Sequence, residues 1–405
     1  MNKLNKNEMK NWILSIQHLM SAFGACILVP LLVGINPNIA ILTAGIGTLI
    51  FHACSKGKVP VFIGSSFAFI SPIITVYTTY GDYAYVQGGI VAVGIVYALM
   101  SFVIYKVGAD KINKILPPHI VGAMIIVIGL SLVPSAITNI KTHAFVAIIT
   151  LGVSLAITFL GKGFLKQLGI LLGVITGYIC AIGFGLVDFN VITNADVISL
   201  PTLVAPKFSM EALLIIVPVS IATMCEHIGD ITTNGTVVGK DFIQEPGLHR
   251  TMLGDGIATL VAGLLGSVPN TSYSENTSLL AITKNYDPKL LRRTALIAIV
   301  LSLFGYFGGL IQSIPSCVIG GISLQLYCMI AFIGVKNIKD NAQKTWKNML
   351  IAVVILVIGL GGFSVTFGAV TLSGLSLGGI VGIILNLILN GKQKKCNCGH
   401  CNCKK

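Results

Sequence analysis

Apolar stretches recur along the whole chain, at about residues 12–34, 38–54, 60–79, 85–105, 118–137, 144–160, 165–187, 211–233, 251–267, 268–283, 292–312, 314–334, 348–365 and 368–390. A membrane helix needs ~20 apolar residues, so the pattern predicts an all-α polytopic membrane protein of about fourteen spans. The stretches form two runs of seven, 12–187 and 211–390, joined by a polar connection over 188–210. An odd number per half inverts the second half relative to the first. Inverted repeats of this kind mark many secondary transporters, whose substrate sites lie at the midplane where corresponding helices are broken. The third stretch of each half suits a break. Residues Gly64 to Pro72 read GSSFAFISP and residues Ser267 to Asn276 read SVPNTSYSEN, too rich in small and polar positions for helix facing lipid.

Composition narrows the class. Of 405 residues, 54% are hydrophobic and only 10% charged, with a mean hydropathy of +0.89. Soluble domains carry about 25% charged residues, so a large soluble domain is excluded and the lipid bilayer is the first partner. The formal charge of +13 would suggest nucleic acid in a soluble protein. Here Lys and Arg are not interleaved with aromatics but lie between apolar stretches, where they set topology. With residues 1–11 placed in the cytoplasm, alternate connections and the tail 391–405 hold every Lys and Arg except Lys141 and Lys207. That bias favours an even number of spans in the cell membrane with both termini cytoplasmic. The first stretch exceeds a signal-peptide core and lacks an Ala-x-Ala exit, so it reads as a retained span.

Candidate chemistry sits where polarity interrupts the apolar runs. Glu226, Asp230, Asp255 and Glu275 fall within or at the edges of spans. A central carboxylate costs ~2.5–3.5 kcal/mol on insertion scales, so such residues need either a partner or a function. Glu226 and Asp230 are four apart and share one helix face, so both can point into one cavity. Intervening His227 points elsewhere and reads as packing. Gln17 and His18 in the first span read as interhelical hydrogen-bonding residues. Phe67 follows Gly64-Ser65-Ser66, where an opened backbone would let its ring lie against a planar ligand. Tyr273 and Tyr327 are further aromatic candidates. The nearest approach to a phosphate loop, Gly235 to Asp241, is one residue short between glycines and has no Ser or Thr after Lys240. That argues against ATP drive and leaves protonatable carboxylates as the coupling device, with no cofactor. In the tail, Cys396, Cys398, His400, Cys401 and Cys403 pack four thiols and an imidazole into eight residues. They read either as a soft-metal site for Zn²⁺ or Cu(I) or as an inert tail.

At these residues the chain resembles the nucleobase-ascorbate transporter family, and within it the bacterial uracil permeases. The similarity runs from Gln17-His18 to about residue 390. Its specific pieces are Lys56-Gly57-Lys58-Val59-Pro60, the stretch Gly64 to Pro72, Glu226-His227-Ile228-Gly229, Pro246-Gly247-Leu248-His249-Arg250, and Pro269-Asn270-Thr271 leading to Glu275-Asn276. The resemblance implies a core part from 12–105 and 211–312 and a gate part from 118–187 and 314–390, and allows a homodimer through the gate. It implies that uracil, imported with protons, stacks on Phe67, is bound by Glu226, and meets backbone N–H groups at Ser274 and Glu275. Ala25 and Tyr327 align with pocket-lining positions, and Asn276 belongs to the family signature.

Three departures stand out. Asp230 occupies a position where uracil permeases carry His and xanthine-type relatives carry Asp. Ser278 replaces the signature's Gly, and Ser274 replaces a Gly before Glu275. These leave a xanthine or broader nucleobase permease as the alternative within the family. From other classes, an anion exchanger of the same architecture would favour cations near the broken helices, and a membrane-embedded enzyme would need a nucleophile–base pair or a metal triad.

Overall fold

The computed structural model describes residues 3–108, 117–198, 204–343, 345–363, 365–367, 370–372 and 374–390, so the tail cysteines and His400 lie outside the described residues. The first half contains α1 (Lys3–Val33), α2 (Pro37–Cys54), β1 (Ile63–Ser65), α3 (Ile70–Tyr80), α4 (Tyr83–Val107), α5 (Pro118–Ser131), α6 (Val133–Ile140), α7 (Ala144–Leu160) and α8 (Gly169–Gly183). The second contains α9 (Met210–Ile216), α10 (Ser220–Val238), α11 (Leu248–Leu264), β2 (Asn270–Ser272), α12 (Ser274–Thr283), α13 (Pro288–Ser302) and α14 (Gly305–Gln312). It ends with α15 (Ser316–Asn341), α16 (Trp346–Leu360), β3 (Val365–Phe367), β4 (Val370–Leu372) and α17 (Gly374–Asn390). Among the described residues, six helical stretches are long and apolar enough to cross a bilayer: Glu8–Val33, Pro37–Cys54, Tyr83–Val107, Pro118–Ile140, Met210–Val238 and Ser316–Asp340. Large apolar side chains cover the outside of the bundle, with Phe159 75% and Leu160 80% exposed. In water such surface would drive aggregation; in lipid it is the expected coat. The chain is a multi-pass membrane protein.

Helix starts follow local chemistry. Asn36 accepts the N–H of Asn38 ahead of Pro37, and Asp287 accepts that of Lys289 ahead of Pro288, each pairing a capping side chain with a first-turn proline that has no N–H to satisfy. Asp82 caps α4 through Ala84 N–H and also binds Lys207 Nζ at 2.8 Å. The hydrogen bond and charge of Lys207 hold the Asp82 carboxyl below its ordinary value.

The helices pack in two neighbourhoods. In one, α4 and α2 lie against α11, α2 also against α13, and α1 against α13; in the other, α5 packs on α15 and α16, and α7 on α8 and α15. Gly94 and Gly256 let the backbones of α4 and α11 touch, since a Cβ on Gly94 would stand 2.8 Å from the Gly256 carbonyl oxygen. Small residues at such crossings supply the close packing that drives helix association in lipid.

Four stretches expected to be continuous spans are interrupted, the 211–233 stretch by a 3₁₀ turn, Val217–Val219, between α9 and α10. The 118–137 stretch breaks between α5 and α6, where Pro134 falls in the new first turn. The 292–312 stretch breaks between α13 and α14, because Gly305 N–H donates to Val197 O at 3.1 Å and Ile198 bridges to Phe304. The 368–390 stretch opens in the β3–β4 hairpin, whose strands Val365–Phe367 and Val370–Leu372 pair antiparallel. Its valines and threonines favour extended backbone.

Candidate functional site

Both segments marked by their small and polar residues are extended at their centres and meet. β1 pairs antiparallel with β2, setting Ile63 opposite Ser272, Gly64 opposite Thr271 and Ser65 opposite Asn270. Ser66 N–H donates to Pro269 O at 2.9 Å and Tyr273 N–H to Phe62 O at 3.0 Å. The ladder is thus extended reciprocally at both ends. A 3₁₀ turn, Phe67–Phe69, leads from β1 into α3, and β2 leads directly into α12. Because the strands are antiparallel, the two half-helices leave from opposite ends of the ladder. Neither Ser66 nor Tyr273 caps the helix it precedes with a side-chain bond, so two first turns begin beside the ladder with uncapped, partially positive N–H groups.

Phe67 is half-buried and borders three apolar clusters. One contains Ala25 and Tyr273, a second Tyr327, and a third Leu28, Ile322 and Leu326. Its ring meets Tyr327 edge-on, with centroids 6.5 Å apart at 86°. Tyr327 is fully buried, and its hydroxyl faces Ser135 and Ser323 without reaching hydrogen-bond geometry. Tyr273 is more fully engaged: its hydroxyl donates to Ser65 O at 2.9 Å and lies 3.6 Å from Cys26 Sγ. That work was not visible in the sequence, since it depends on the β1–β2 pairing.

The carboxylates divide by environment. Glu226, Asp230 and Glu275 are half-buried and interact electrostatically with one another deep in the bundle. Among the described residues, neither Glu226 nor Asp230 has a hydrogen-bonded or ion-paired protein partner. Carboxylates in that position face water or ligand rather than packed helix. Ser274 is likewise half-buried. Asp255, by contrast, is fully buried and accepts from His227 Nδ1 at 2.7 Å and from the Ser272 N–H and hydroxyl. The other His227 ring nitrogen meets Thr251 Oγ1 at 3.0 Å. This His–Asp–Ser cluster has the members of a hydrolytic triad but not its geometry, since the Ser272 hydroxyl is spent on the carboxylate and sealed from any substrate. His18 donates from Nδ1 to Asn276 Oδ1 at 3.3 Å, tying α1 to α12; both side chains are buried, and Gln17 beside them is half-buried.

Gly64 shows how tightly the ladder seats against α1. A Cβ there would lie 2.8 Å from Cys26 Sγ and 2.8 Å from the Tyr273 ring and hydroxyl. Gly64→Ala must therefore push Tyr273 off Ser65, and overpacking of this kind costs ~1–3 kcal/mol. Where that strain falls on the site, substrate binding should weaken roughly 5-fold or more, as read by equilibrium binding to purified protein. Unchanged affinity would mean that the Tyr273–Ser65 contact does not shape the site.

A polytopic membrane fold with polar and acidic residues gathered at two broken helices is what these features describe. A family model described as "Permease family" matches residues 9–367. The chain belongs to this family, the nucleobase-ascorbate transporters, and is a permease rather than an enzyme. It is 41% identical over 397 residues to the probable uracil permease of Pasteurella multocida (strain Pm70), covering 95% of each chain. It is 42% identical over 402 residues to the uracil permease of Bacillus caldolyticus, covering 95% of this chain and 93% of that one. Among solved structures, the transmembrane domain of the cyanobacterium bicarbonate transporter BicA superposes with a TM-score of 0.67 at 14% identity, over 96% of this chain and 98% of that one. SLC26A9 gives 0.72 at 11% identity, over 97% and 67%. These two likenesses establish the fold alone.

Proposed function

We propose that the protein imports uracil across the cell membrane together with protons, by alternating access of a core carrying the β1–β2 ladder against a gate. The observation that carries this reading is the pair Glu226 and Asp230, unpartnered among the described residues, together with the half-buried Phe67 ring and two uncapped half-helix N-termini. Uracil presents ring N–H donors, carbonyl acceptors and a flat face. Glu226 would take an N–H, the backbone N–H groups at Ser274 and Glu275 the carbonyls, and Phe67 the ring. Ala25, Tyr327 and Tyr273 would close the apolar surround. Relatives named uracil permeases at about 40% identity over nearly the whole chain support the substrate.

The two packing neighbourhoods support a core of α1–α4 and α9–α14 and a gate of α5–α8 and α15–α17. Reciprocal pairing of the broken segments supports two inverted seven-span repeats, with both termini cytoplasmic by charge bias. Asp230 and Ser274 favour xanthine as the second reading, since both change the polar outline of the pocket. Anion exchange is disfavoured by the carboxylates Glu226, Asp230 and Glu275 near the broken helices. Equilibrium binding of uracil against xanthine to purified protein tests the substrate: tighter uracil binding is expected, and preferential xanthine binding would reverse the assignment. Deletion after Lys395 should leave transport unchanged, because the family resemblance ends before the cysteines. An uptake loss beyond the loss of protein from the membrane would give the Cys/His cluster a role.

A further inference from the structure

We propose that Asn234 is a positioning residue that registers the carboxylate half of the substrate site against its stacking half. It lies on α10 two turns beyond Glu226 and is fully buried. Its Nδ2 donates both to Pro60 O at 3.0 Å and to Thr277 Oγ1 at 2.9 Å. Pro60 stands just ahead of β1, on the segment that continues to Phe67. Thr277 is in the first turn of α12, two residues after Glu275. One carboxamide therefore joins the three discontinuous elements that carry Glu226 and Asp230, Phe67, and Ser274 and Glu275.

Apolar packing of Ile231 on Val59, Val61 and Ile63 accompanies this restraint but sets no hydrogen-bonded register. α10 reaches the β2 side at a second height, where His227 meets Ser272 at 3.1 Å. Among the described residues, Asn234 provides the one side-chain hydrogen bond from α10 to the segment running from Pro60 through β1. A continuous helix joins the two positions, so losing the hold at Asn234 leaves Glu226 registered against Phe67 only through the His227 contacts beside it. Only an amide of this size fits the task, because two N–H donors serve two acceptors. Aspartate would bring a carboxylate oxygen against the Pro60 carbonyl, and leucine would leave that buried carbonyl without a donor.

This inference rests on the proposed uracil site, and the test separates the two. Uracil affinity and melting temperature are measured on purified full-length protein carrying Asn234→Asp, Thr277→Val, Thr277→Ser, Phe67→Ala, and Asn234→Asp with Phe67→Ala. Asn234→Asp should raise Kd about tenfold, and Thr277→Val should raise it by less. Thr277→Ser should restore the unaltered value. Once the Phe67 ring is gone, Asn234→Asp should add little further loss, since the register it sets has lost its object. Should Asn234→Asp fail to fold, Thr277→Val against Thr277→Ser carries the same comparison. A lowered melting temperature with unchanged Kd, or full additivity with Phe67→Ala, would reduce Asn234 to packing and overturn the proposal. If the unaltered protein binds no uracil, the substrate reading falls and this proposal falls with it.

Discussion

Glu226→Gln is expected to lose transport and most uracil binding, while Glu275→Gln weakens both by less. Glutamine preserves the length of the side chain but removes the charge, and its amide can turn an N–H toward the ring N–H it should accept. Hydrogen bonds to charged groups contribute ~1.5–3 kcal/mol, equivalent to roughly 10- to 100-fold in affinity. Among the described residues, Glu226 has no protein partner to soften that loss. Glu275 differs because it sits at the start of α12, whose first turn offers backbone donors whatever the side chain. Equilibrium binding on purified variants measures both. Unaltered affinity in Glu226→Gln would remove that residue from the site.

Asp230→Asn should separate binding from accumulation. The Asp230 carboxylate stands one turn from Glu226, half-buried and without a protein partner among the described residues, and on the proposed reading it takes up and releases a proton as the site turns. Asparagine keeps the volume and polarity but cannot exchange a proton. Uracil counterflow should persist in the variant while gradient-driven accumulation is lost. Asp230→His should move selectivity toward uracil. Both fluxes measured on the same liposomes decide the matter: equal impairment of both, or of neither, would mean that Asp230 does not couple transport to protons.

The parts of this arrangement legible in the sequence are those whose chemistry clashes with the bilayer. Glu226, Asp230 and Glu275 stand out because a carboxylate in an apolar run demands a reason, and the two broken segments because Gly, Ser, Asn and Pro gather where Leu would serve. Asn234 and Thr251 left no comparable mark. Small polar residues are ordinary in membrane helices, where each can bond its own backbone as Thr232 does to Ile228 O at 2.7 Å. What distinguishes Asn234 is a pair of acceptors 174 and 43 residues away. The same holds for the fold. Hydrophobic runs located the helices, but the break before Gly305 arises from docking against Val197, more than 100 residues earlier, and no local pattern encodes it. The position of Asp255 in an apolar run was visible, whereas its burial against His227 and Ser272 required the ladder to bring β2 beside α10.

Labelled-uracil uptake into proteoliposomes, with and without an imposed proton gradient and with sodium replaced by choline, tests the central claim most directly. Uracil should concentrate inside when the interior is alkaline, fall to equilibration when a protonophore collapses the gradient, and be indifferent to sodium. Xanthine should be taken up more weakly. Uptake that ignores the proton gradient, follows sodium, or prefers xanthine would contradict the account.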